Sequence, residues 1–127
     1  MATWNEVVQH LQKNYKCELK GSDVVRLLFG FGGRSQLVFV SRGAGGAGEW
    51  VQIQSPVGKP PIHRLSDLLE ACDSKLCGAL IMMDGTVFLR HSLPISAYKP
   101  EDLDWALQAI VMTADDLEEK YVGGDAF

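Results

Sequence analysis

The hydrophobic pattern changes period along the chain, and the changes divide it into eight segments. Trp4, Val7, Val8, Leu11 and Tyr15 recur at steps of one, three and four, which predicts an amphipathic helix from about Trp4 to Tyr15. Thr3 with Glu6 three residues on has the form of a capping box, so that helix starts where its stripe starts. Three β-prone runs follow: Val24–Phe29, Gln36–Ser41 and Trp50–Gln54, the last alternating with a period of two. Gly30, Gly32 and Gly33 separate the first two, and Pro56, Pro60 and Pro61 are expected to end the third. Arg64 to Asp73 reads as a short helix with Leu65, Leu68, Leu69 and Cys72 on one face. Leu76–Met83 and Thr86–His91 read as strands around Asp84-Gly85, a pair suited to a two-residue turn with positive φ at both positions. Pro100 fits the first turn of a final helix, and Gly123 and Gly124 are expected to stop it after Tyr121.

The predicted order is α-β-β-β-α-β-β-α. Hairpin connections dominate it, so the expected class is α+β: a five-stranded, largely antiparallel sheet with the helices on one face. The 127 residues suit a single domain spanning 1–127. With 46% hydrophobic and 22% charged residues, the composition is that of an ordinary globular chain.

Charge adds one asymmetry. Between Pro100 and Phe127 stand eight acids and one lysine, a local net charge of −7, whereas the whole chain carries −4. The remainder is therefore at +3, and the final segment is an acidic face, read either as a solvated helix surface or as a guide for a basic partner. The overall sign argues against a nucleic-acid partner. No apolar run approaches the ~20 residues that span a bilayer. Three cysteines without a leader-like opening point to a cytoplasmic protein with reduced thiols. Cys72 and Cys77 are close in sequence, and buried free thiols are the expectation for them.

Strings that resemble catalytic motifs fail on context. Gly43 to Gly48 has the spacing G-x-G-x-x-G, but a strand follows it where a phosphate site needs a helix N-terminus, so a hairpin loop is expected. Gly123-Gly124-Asp125-Ala126-Phe127 is similar to a GGDEF string but departs at Ala126 and has no catalytic domain around it. His10, His63 and His91 show no ligand spacing, so no metal and no cofactor is expected. No nucleophile elbow or activated cysteine is evident, and no catalytic residue is assigned.

The final helix carries more than one stripe. Leu103, Leu107, Ile110, Ala114, Leu117 and Tyr121 suffice to cover a sheet. Trp105, Ala109 and Met112 form a second apolar line, with two explanations open: burial against the first helix, or a dimer or partner surface. Trp50 and Ile53 are expected on an exposed sheet face as a second patch.

The order of elements from Thr3 to Tyr121, with Gly85-Thr86-Val87-Phe88-Leu89-Arg90-His91-Ser92-Leu93-Pro94-Ile95 and then Ala114-Asp115-Asp116-Leu117 near the end of a long helix, resembles the YbjN family, of the type III secretion chaperone-like fold. The motif-like part covers Asp84 to Leu117 and holds no catalytic residue. The resemblance implies a homodimeric, chaperone-like or regulatory protein that binds a protein partner or peptide segment. The Gly43–Gly48 insertion departs from compact chaperones of that fold. The alternative is a small-ligand-binding protein or small enzyme with a pocket near the Gly-rich loop and His91.

Overall fold

The structure, a computed structural model, describes residues 3–31, 33–46, 48–61, 64–75 and 77–122, with the side chain of Phe31 excepted. Helix α1 (Trp4–Asn14) is followed by strands β1 (Cys17–Leu19), β2 (Val24–Phe31), β3 (Arg34–Gly45) and β4 (Gly48–Gly58). A crossover through helix α2 (Leu65–Ala71) leads to β5 (Ala79–Met83) and β6 (Thr86–Pro94), and helix α3 (Pro100–Leu117) closes the fold with a wider π turn over Glu118–Val122. The strands form one antiparallel sheet in the order β1-β2-β3-β4-β6-β5. Thus β6 returns beside β4, and β5 is left at the edge.

The α+β class and the antiparallel sheet agree with the sequence reading, but the sheet has six strands where five were expected. The added strand, β1, pairs Cys17, Glu18 and Leu19 with Leu27, Arg26 and Val25. Its three residues show no alternation of their own, and the partner strand supplies the order.

The local signals at the helix starts hold. The Thr3 hydroxyl accepts from the Glu6 amide at 3.4 Å, and Pro100 occupies the first turn of α3. Asp84 and Gly85 have φ of 51° and 79°, the geometry of the tight turn their chemistry suggests.

Two sequence expectations about the middle strands need correction. Pro56 does not end the sheet: it lies within β4 opposite Phe88, beside a register shift between Pro56 and Gly58. A bulge is where a strand tolerates a residue with no N–H. The Gln36 amide Nε2 donates to the Pro56 carbonyl and to Ser55 Oγ, each at 2.7 Å, and so stands in for ladder bonds. The hairpin expected at Gly43 to Gly48 is present, but most of the segment is strand and not loop: Gly43 faces Trp50, Ala44 faces Glu49 and Gly45 faces Gly48 in the β3–β4 ladder. Ala47 lies outside the described residues, as do Gly32, His63, Leu76 and the expected stop at Gly123 and Gly124.

One face of the sheet is covered. Val25, Leu27, Val38, Val40, Val51, Ile53 and Leu89 share a cluster with Trp4, Val7 and Leu11 of α1, Leu68 of α2 and Leu103, Leu107 and Ile110 of α3. Strand periodicity puts these sheet residues on a single side, so all three helices pack there.

Candidate protein-binding surfaces

Helix α3 lies on the sheet through Leu103, Leu107, Ile110, Ala114 and Leu117, all buried. That is the longer stripe expected from the sequence; Tyr121 at its end is half-buried, with the Arg64 guanidinium 5.1 Å from its ring centre. The second line faces solvent: Trp105 is 74% exposed, Met112 is 66% exposed and Ala109 lies between them, partly covered. Burial of these residues against α1 is therefore excluded. Helix α1 meets α3 along another side, where Asp104 Oδ1 takes a bond from His10 Nε2 at 2.8 Å and from the Tyr15 hydroxyl at 2.6 Å. With Asn14 Nδ2 donating to His10 Nδ1 at 3.2 Å, the neutral imidazole carries its proton on Nε2 and donates it to Asp104.

Two tyrosines line this seam. The Tyr98 hydroxyl is buried without a hydrogen-bond partner among the described residues. Burial, then the carboxylates of Asp104, Glu6 and Glu101, push it up to about 12. Burial, followed by the bond to Asp104, raises Tyr15 further. Both are held above the ordinary value near 10, so their contribution to stability is whole below about pH 10 and is lost as pH rises through the raised values. Urea unfolding at a series of alkaline pH values should show stability falling above about pH 10. The double variant Tyr15→Phe, Tyr98→Phe should show a shallower fall, and equal slopes in the two proteins would contradict this account.

The second sheet patch is split by strand geometry. Trp50 and Ile53 are three residues apart on one strand and so point to opposite faces. Ile53 is wholly buried beneath the helices and is not a surface residue, whereas Trp50 is half-buried on the uncovered face. Trp50 Nε1 donates to the Gly45 carbonyl at 3.2 Å. Beside it lies an open hollow of about 340 Å³ lined by Gly43, Ala44, Gly45, Trp50, Gln52 and Ser92. His91 is not part of it: it pairs with Ile53 and faces the helix side. The pocket imagined around the Gly-rich loop and His91 therefore lacks the histidine.

Sequence reasoning missed a third surface, at the sheet edge. Strand β5, Ala79-Leu80-Ile81-Met82-Met83, contains no charge and, among the described strands, bonds only to β6. Met82 is 52% exposed and Met83 40%, while Leu69 of α2, placed by the sequence on one face with the buried Leu68, is 58% exposed. Between α2 and the edge is a small apolar cleft of about 110 Å³, lined by Leu65, Leu68, Leu69, Leu80, Met82 and Val87 among others. The signal was present as an uncharged strand, but its edge position depends on the crossover and could not be read from the pattern.

Cys17, Cys72 and Cys77 are free and half-buried, and burial raises the Cys72 and Cys77 thiols. Among the described residues no group of three or more His, Cys, Asp or Glu side chains is placed to hold a metal. No described helix is long and apolar enough to cross a membrane. The chain matches no protein-family model and no curated protein.

Proposed function

We propose that the protein is a non-enzymatic, chaperone-like or regulatory binding module that acts in the cytoplasm as a homodimer. The observation that carries this reading is the β5 edge. A strand edge exposes unpaired N–H and C=O groups, and soluble proteins guard such edges with charge, proline or a covering element. Here five uncharged residues carry exposed methionines beside an apolar cleft. A second copy, pairing β5 with β5 about a two-fold axis, satisfies the edge and removes Met82, Met83 and Leu69 from water. The order α-β-β-β-α-β-β-α, with β1 as a short addition, supports a YbjN-like, secretion-chaperone-like fold, in which the exposed helix and sheet surfaces take the protein partner.

Light scattering coupled to gel filtration tests the dimer. The wild type should elute at twice the chain mass, and Met82→Lys with Met83→Lys should elute as a folded monomer, since neither side chain is in the core. A wild type that stays monomeric at high concentration would remove the homodimer from this reading.

A further inference from the structure

The outer face of α3 is an exposed apolar feature that a β5 dimer leaves open, with Trp105 and Met112 the two most exposed of the large hydrophobic side chains described. Trp105, Ala109 and Met112 stand at i, i+4 and i+7, one line along two helical turns. Glu101 and Asp116 continue that line at i−4 and i+11, and Asp102 and Glu119 flank it. Glu101, Asp102 and Glu119 are exposed, and Asp116 is partly so. Lys120 lies near this face and is held by Asp116 at 3.2 Å. At the N-terminal end, Glu101, Asp104, Trp105 and Gln108 enclose a shallow hollow of about 310 Å³. Both hydrogen bonds to Asp104 use Oδ1, which leaves Oδ2 without a hydrogen bond from the described residues.

We infer that this face docks a basic amphipathic helix, with an arginine of the partner seated in the hollow against Trp105 and its apolar residues lying along Ala109 and Met112. An indole face with two carboxylates beside it suits a guanidinium, which can stack on the ring and donate to carboxylate oxygens together. Lysine satisfies the charge but not the stacking and the fork. Charge also excludes a second copy as the occupant: a two-fold contact through this face would oppose Glu101, Asp102, Asp116 and Glu119 to their own images. Homodimerisation and partner binding then use different surfaces. The inference rests on the protein-binding reading and names the chemistry of the partner.

The test is an NMR titration of the labelled protein with a synthetic amphipathic helix of leucine and arginine, beside the same peptide with glutamate for arginine. Shift changes should cluster on Glu101, Trp105, Gln108, Ala109, Met112 and Asp116. Affinity should fall at least tenfold for Trp105→Ala and for Glu101→Lys with Asp116→Lys, and should weaken as salt rises. Trp105 is exposed, so its loss should leave the fold intact. No binding, equal binding of the glutamate peptide, shifts confined to another surface, or an unaffected Trp105→Ala variant would each overturn the assignment. The scattering measurement reads β5 alone. A peptide that fails on an intact dimer removes only the α3 site, and a monomer that binds the peptide removes only the dimer.

Discussion

Replacing Gly78 with alanine is expected to destabilise the protein by about 2–4 kcal/mol, a large part of the margin for a domain of this size. Gly78 precedes β5 with φ of +94°, a backbone region that L side chains rarely adopt. A Cβ there would come within 2.9 Å of Ile110 Cδ1 and 3.1 Å of Leu89 Cγ and Cδ1. Neither neighbour has space to retreat, because both are wholly buried in the core beneath α3. Backbone strain of about 1–3 kcal/mol and overpacking of a similar size act together. Valine, which adds two methyl groups at the same point, should destabilise more than alanine. Urea unfolding with a fixed m-value measures both losses, and a Gly78→Ala protein within ~0.5 kcal/mol of wild type would contradict this account. The same close approach links stability to the proposed dimer. Gly78 seats the start of the edge strand against α3, so its substitution should also weaken self-association.

How far the fold could be read depends on how local its causes are. The Asp84-Gly85 turn, the Thr3 cap and Pro100 at the head of α3 each follow from the chemistry of a few adjacent residues, and each is present. Strand β1 was not legible, because Cys17-Glu18-Leu19 becomes a strand only through its register with β2. Pro56 does not break the strand because its missing N–H falls beside a bulge, while its carbonyl accepts from Gln36, twenty residues earlier in the chain. The candidate surfaces divide in the same way. Trp105, Ala109 and Met112 were visible as a second stripe, but whether α1 covers that stripe is a tertiary fact. Ile53 belongs to the core and not to the Trp50 patch, since an offset of three along a strand changes face. The exposed edge at β5 follows from strand order, which no local pattern encodes.

Removing the guanidinium of Arg34 should cost about 3–5 kcal/mol, the range for breaking a buried ion pair from one side. Arg34 opens β3, and its Nε donates to Asp115 Oδ1 at 3.0 Å and Oδ2 at 3.3 Å; its Nη2 lies 3.7 Å from Glu118 Oε1. The Asp115 side chain is 8% exposed and that of Glu118 is fully buried, so one cation serves two carboxylates that water scarcely reaches. Asp115 and Glu118 stand where α3 passes into the π turn, and the guanidinium ties that end of the helix to the sheet. Arg34→Ala removes the guanidinium that both acidic side chains share in a low-dielectric site, and the helix end is expected to loosen. Arg34→Lys keeps the charge but loses the planar donor fork, so its loss should be intermediate. The triple variant Arg34→Met, Asp115→Leu, Glu118→Leu removes the polar groups of this cluster together and should recover much of the stability, because apolar side chains need no guanidinium partner. Urea unfolding of the three proteins separates these contributions. An Arg34→Ala protein within ~1 kcal/mol of wild type, or a triple variant no more stable than the single one, would show that the charges are already hydrated in the folded chain.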